Sequence, residues 1–346
     1  VRLSVLDRSP IKAGHTAADA LRATVAMARE VERLGYHRFW VSEHHSVPGI
    51  AGSAPTVLAA AIAAATERIR IGTGGVMLPN HQPLVVAEQF GVLASLFPGR
   101  IDIGLGRSVG FTGGIRRALG HDKADVERFP EHLDELLSYL DGGNRGVHAN
   151  PGEGLRLPVF LLATGAGALH AAEKGLPLVI APIGGVERMA ELIDRYRAEF
   201  RPSPWGGTPY VVVSSAIAIA DSEAAARRLL VPETWSGVLA RTQGAFPPLL
   251  PPAEIEASTM TDRERELLDE SLGGQVFGTE DQVLPRLREL LERTGADELL
   301  VTTSTYDDAD RLGVYRRLAA GLQNVISPEP GIHCAVELAF KAELCD

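Results

Sequence analysis

Cysteine is almost missing from this sequence: two in 346 residues, Cys334 and Cys345. Two thiols cannot build a disulfide framework, and a chain this long can bury a large core without one. Such usage suits a reducing compartment. Aromatic residues make up 5%, too few for a stacking platform for single-stranded nucleic acid. Positive charge is in deficit. Lys and Arg number 34 against 44 Asp and Glu, a net charge of −10, with no basic block. That argues against nucleic acid or an anionic membrane surface as partner. No apolar run is long enough to span a bilayer. The longest, Ala54–Ala65 and Val211–Ala220, suit a core helix and a core strand. Val1–Ser4 reads as strand, without the charged start, apolar middle and small-residue cleavage site of a secretion signal. The expectation is a cytoplasmic protein.

What is present is alternation. Short apolar or β-branched runs fall at Leu3–Leu6, Phe39–Ser42, Ile69–Thr73, Ile101–Leu105, Pro158–Ala163, Leu176–Ala181, Tyr210–Ala220 and Glu298–Thr303. Between them lie helical patterns, several opened by proline (Pro55, Pro83) or closed by glycine (Gly35, Gly175). Eight strands alternating with eight helices predict a parallel sheet, and that count closes as a (β/α)8 TIM barrel. An open doubly wound sheet is the alternative. At roughly 150 residues per domain the length suggests two domains. One barrel of residues 1–325 accommodates the chain better, because its polar strand ends belong to a single alternating unit. The surplus falls in a proline-rich insertion at 231–274, before the eighth strand, and in a C-terminal extension at 326–346.

In such a barrel the chemistry sits on the loops after the strands. Strand two ends in Ser42-Glu43-His44-His45. Alternation along a strand puts Glu43 and His45 on one side and His44 on the other, so one imidazole enters the site. Two strand-end histidines bonded to loop carbonyls would look the same. No His-x-His or His-Glu-x-x-His spacing supports a metal, and none is expected. Strand three ends in Thr73-Gly74-Gly75, and strand four in Gly104-Leu105-Gly106-Arg107-Ser108. The glycines there do not keep the dinucleotide spacing. They suit close approach of something planar, with Arg107 as fixed charge, or an arginine paired across the rim. Thr164-Gly165-Ala166-Gly167 lies between strand five and a helix. Its backbone N–H groups suit a phosphate, or glycine serves the turn alone. Phe111, Trp205, Trp235 and Phe246 are candidates to line a substrate pocket.

Several stretches together resemble the bacterial luciferase-like, flavin-dependent monooxygenase family. They are Leu3–Pro10, Phe39–His45, Arg68–Pro79, Ala87–Phe90, Phe97–Arg107, Gly278-Thr279 and Asp297–Thr302. The resemblance runs from Val1 to about Leu322. It implies a (β/α)8 barrel, usually a homodimer, that takes reduced FMN (FMNH2) from a separate NAD(P)H:FMN reductase. With O2 as co-substrate the flavin forms a C4a-hydroperoxide, which inserts one oxygen into a small organic substrate by hydroxylation, epoxidation or Baeyer-Villiger chemistry. It places the catalytic histidine at His44. Glu43, Gly74, Gly75, Arg107, Val109, Thr164, Gly165, Ala166 and Gly167 fall at cofactor-binding positions. Gly74-Gly75 matches a dipeptide with a non-prolyl cis bond. The phosphate loop is poorer in hydroxyls than the family's, which turns attention to Thr164 and to an arginine such as Arg128. Gly106 stands where the luciferase has a reactive cysteine. Tailoring of polyketides in antibiotic biosynthesis is an expectation by analogy. Alternatives are deazaflavin-dependent hydride transfer, a non-catalytic flavin-binding relative and a phosphosugar barrel enzyme.

Overall fold

A computed structural model describes residues 1–163, 165 and 167–323. The polypeptide opens with β1 (Arg2–Asp7), α1 (Ala17–Arg33), β2 (Arg38–Val41), α2 (Pro55–Ala65), β3 (Arg70–Thr73), β4 (Val76–Met77), α3 (Pro83–Leu96) and β5 (Ile101–Gly106). Next come α4 (Gly113–Ala118), α5 (Phe129–Asp141), β6 (Val159–Leu162), α6 (Gly167–Lys174), β7 (Leu178–Ile180) and α7 (Val186–Glu199). The last part holds β8 (Val211–Ser215), β9 (Ile217–Ile219), α8 (Glu223–Gln243), α9 (Pro252–Ala257), α10 (Asp262–Gly273), β10 (Val276–Gly278), α11 (Glu280–Thr294), β11 (Glu298–Val301) and α12 (Asp308–Gln323). Every paired strand runs parallel. The order β3-β2-β1-β11-β8-β7-β6-β5 closes through β3 on β5, giving the eight-stranded barrel. The eighth barrel strand is β11.

Strand parity sorts the barrel into shells. Odd-numbered residues of β1, β2, β5 and β6 (Val5, Phe39, Ile103, Leu161) face the helices and join the main core. Even-numbered ones face the interior. At the N-terminal end this interior is ionic: Arg38 pairs with Asp102 at 2.6 Å and Glu298 at 3.0 Å, and Arg70 with Asp102 at 2.6 Å. Ser4 and Tyr210 also bond to Glu298. Buried charges persist only when paired this fully. One layer up lie Leu6, Trp40, Phe160, Val179, Val212 and Leu300. The next inward positions, Arg8, Ser42, Gly74, Gly106, Leu162 and Ser214, form the mouth.

The structure redraws two predicted boundaries. The run Tyr210–Ala220 is two strands. Its first part is a barrel strand, and Ile217–Ile219 leaves to pair with β10. Helix α8 runs from Glu223 through Pro232 to Gln243, well into the stretch predicted as an insertion at 231–274. Val231, Trp235 and Val238 pack there with Ile255, Leu267, Leu268 and Leu272, so the 231–274 excursion has a core of its own. Apolar packing outweighs the hydrogen bond that Pro232 cannot donate. The C-terminal extension, 326–346, lies outside the described residues.

Candidate active site

A cavity of about 400 Å³ opens at the C-terminal ends of the barrel strands. Its walls are largely apolar: Leu6, Met77, Leu161, Leu162, Val179 and Ile180, with Phe129 and Pro130 from α5. Gly74, Gly75, Gly106 and Gly167 line it too. The Gly74–Gly75 peptide is cis. A Cβ on Gly74 would stand 2.6 Å from Leu6 Cδ1, and one on Gly75 would stand 2.8 Å from the Gly104 carbonyl. A Cβ on Gly106 would meet nothing nearer than 3.9 Å. Backbone contact thus requires glycine at Gly75, a side chain at Gly74 would have to push Leu6 aside, and Gly106 leaves open space.

The end of β2 divides its polar residues between two sides. His44 lines the cavity, its backbone N–H held by the Gly52 carbonyl at 2.8 Å. Ser42 Oγ lies 3.1 Å from His44 Nδ1, while Nε2 meets no partner among the described residues. Burial, and then the charge of Arg8, push its pKa down to about 4. The ring is neutral near pH 7 and able to accept a proton. Phe111 stacks on it, with ring centroids 6.3 Å apart.

Glu43 borders the cavity, but its carboxylate is already engaged. Oε1 lies 2.6 Å from His45 Nε2 and 2.9 Å from His81 Nε2; Oε2 accepts the Met77 N–H at 2.9 Å. Burial opposes ionisation here. Hydrogen bonds from His45, His81 and Met77, with the charge of His81, outweigh it and hold the pKa down to about 2. The group therefore clamps the segment that carries Gly74 and Gly75. Among the described residues, Glu43, His45 and His81 are the set able to offer ligand atoms to a metal, all within 4.8 Å. Sequence spacing gave no sign of it, because His81 arrives from a different loop.

Arg107 lines the mouth, exposed, and no acceptor among the described residues takes its hydrogens. Val109 follows it but is not among the lining residues. In the strand-five loop, Gly165 has φ +79° and Gly167 begins α6 beside the cavity. Thr164 and Ala166 lie outside the described residues. Arg128 does not line the cavity, although Glu127 and Phe129 on either side of it do. Of the other aromatic candidates, Trp235 is buried in the core of the excursion and Trp205 packs under Arg156. Phe246 gives its carbonyl to the Gly49 N–H at 2.8 Å. None of these three lines the cavity. Sequence reasoning missed His81 and the inward-facing Arg8. Counting parity up β1 from Ser4 would have found the second.

The family model of the luciferase-like monooxygenases matches residues 1–298. The chain belongs to that family. A luciferase-like monooxygenase of Escherichia coli (strain K12) is 36% identical over 316 residues, covering 90% of this chain and 94% of the relative. The N-acetyl-S-alkylcysteine monooxygenase of Bacillus subtilis (strain 168) is 42% identical over 189 residues, 52% of this chain and 57% of that one. Among solved structures, apo-MsnO8 superposes with a TM-score of 0.84 at 33% identity, covering 95% of this chain and 100% of that one. For this family member the geometry offers a glycine-lined wall, an open cavity with more apolar than polar lining, an arginine with no acceptor among the described residues and a neutral imidazole.

Proposed function

We propose that this family member is an FMNH2- and O2-dependent monooxygenase that inserts one oxygen atom into a small organic substrate. The observation that carries the reading is the pairing of neutral, half-open His44 with the Gly74–Gly75 wall in one apolar cavity. The residues fit the cofactor. Glycine backbone gives a flat approach, and Arg107 is free to meet a phosphate, with N–H groups at the start of α6 nearby. When bound, reduced FMN supplies the electrons that activate O2. Leu6, Leu162, Val179 and Ile180 keep water away from the reacting groups. His44 Nε2 holds or moves a proton there, and Glu43 keeps the glycine wall in place through Met77. Partners in this reading are a separate NAD(P)H:FMN reductase and a second copy of the chain.

Oxygen uptake with an FMN reductase tests the proposal. The panel holds N-acetyl-S-alkylcysteines, after the Bacillus relative, with long-chain aldehydes and aromatic polyketides. The expected result is substrate-dependent uptake with one atom of 18O2 in the product. Consumption no faster than free-flavin autoxidation would overturn it. Binding of a reduced deazaflavin without oxygen uptake would move the reading to hydride transfer. Arg107→Ala is expected to weaken FMNH2 about tenfold while leaving reduced riboflavin, which lacks the phosphate, nearly unchanged. Equal losses for both flavins would take Arg107 away from the phosphate.

A further inference from the structure

The reaction as proposed above makes no use of Arg8, although it lines the cavity. Parity sends Ser4 and Leu6 of β1 into the barrel, and Arg8 continues that row into the mouth. Its neighbours are anchored in the opposite direction. Asp7 accepts the Ser9 N–H at 2.6 Å, the Thr24 hydroxyl at 3.0 Å and Arg311 Nη1 at 2.8 Å, all buried. That anchor fixes the strand end and with it the heading of Arg8.

The Arg8 side chain is 33% exposed. One of its nitrogens, Nη1, donates to Glu233 of α8. Glu233 is itself held by the Ser304 N–H at 3.1 Å. The hydrogens on Nε and Nη2 meet no acceptor among the described residues. A guanidinium with unused donors at an apolar cavity suits a second carboxylate, and the low-polarity walls strengthen such a pair. The charge of Arg8 already reaches His44. Arg8 and His44 line the same cavity, so a group bound to Arg8 shares that cavity with the imidazole.

We propose that Arg8 is a specificity-determining residue that receives a carboxylate of the organic substrate, in competition with Glu233. The substrate class is then a small, mostly apolar organic acid. On binding, the substrate carboxylate takes Nε and Nη2 and shares the guanidinium charge with Glu233, which stays on Nη1 and keeps the Ser304 N–H. The proposal rests on the oxygenase reading for the chemistry after binding, but not for binding itself. A bridge that merely ties α8 to the barrel makes the opposite forecast for one variant. If the tie is what matters, Arg8→Gln and Glu233→Gln break the same contact and act alike. If Arg8 recognises the acid, removing the charge of Glu233 releases it and the two variants act in opposite senses.

The experiment measures binding of (benzylthio)acetate and its methyl ester to the full chain by calorimetry, with melting curves to check each variant's fold. Wild type is expected to favour the acid about tenfold. Arg8→Gln should lose that preference, Arg8→Lys should keep part of it, and Glu233→Gln should tighten the acid about threefold. Equal affinity for acid and ester in wild type overturns the assignment. So do parallel losses in Arg8→Gln and Glu233→Gln, or an acid that fails to bind at about 10 mM. The same pair is then supplied with FMN and reductase. A binding preference for the acid without oxygen uptake sinks the oxygenase reading and leaves Arg8 as a carboxylate site.

Discussion

At the scale of single residues, His44 couples the site to stability. Its pKa is about 4 in the folded chain against 6.5 for an ordinary histidine. Above pH 6.5 both states hold a neutral ring, and the residue has no effect on stability. Between 6.5 and 4 only the unfolded chain takes up the proton, so stability falls as pH falls across that window. The 2.5-unit gap sets a ceiling of about 3 kcal/mol, less what solvent screens at a half-buried ring. His37, also pushed down to about 4 by burial and by Arg38, adds a slope of the same sign. His44→Asn should therefore lose less stability between pH 7.5 and 5 than wild type does, by about 1–2 kcal/mol in urea titrations. Glu43 does not confuse this range, since its lowered pKa acts only as pH drops below about 4.5. Parallel pH profiles for the two proteins would show that the ring is not desolvated. In the oxygenase assay the same variant should keep flavin but release peroxide in place of product. Unchanged product formation would remove His44 from the mechanism.

Elements show which parts of the fold were legible. Alternation of apolar runs with helical patterns predicted all eight barrel strands, because each strand is buried on both faces and carries a strong signal. Parity at Ser42–His45 predicted one imidazole inside, and the structure puts His44 at the cavity with His45 against Glu43. A change of partner left no such mark. Nothing in an unbroken apolar run separates β8, in the barrel, from β9, paired with β10. His81 was invisible for a related reason: its contact with Glu43 joins two loops 38 residues apart. The glycines were readable as close approaches but not as to what they approach. Gly104 is the sharpest case, since a Cβ there would lie 1.8 Å from the Thr73 carbonyl, backbone against backbone between β5 and β3. No rotamer relieves that contact. Gly104→Ala should cost several kcal/mol, about 3 or more, and appear as insoluble protein or a melting point lowered by at least about 6 °C. A variant that melts with wild type would mean that the two strands separate easily.

For the whole molecule, the net charge of −10 leaves few places for an anion, and at the mouth Arg107 is the cation with no acceptor among the described residues, while Arg8 is shared with Glu233. Among the described residues no helix is long and apolar enough to cross a membrane. Apolar surface is nonetheless left over on α2 and α3. Val57 is 69% and Leu96 64% exposed, and Val85 and Val92 are exposed beside them. Helix α2 carries no charge at all, and α3 carries only Glu88. A helix apolar all round is ordinarily buried, and a patch of this kind marks an interaction surface. The second copy of the chain proposed above as a partner would pack here, helix on helix. The position matters for the site. The Gly52 carbonyl that holds the His44 N–H lies just before α2, and His81 lies just before α3. Packing on these helices would therefore steady the starts from which both site loops leave. Val57→Asp combined with Leu96→Asp should convert a dimer to a monomer in sedimentation velocity. The fold should survive, because both side chains are exposed in one copy. Flavin affinity should fall in the monomer, since the loops bearing His44 and His81 lose their backing. A double variant that sediments like wild type would remove α2 and α3 as the interface, and a monomeric wild type would remove the dimer itself.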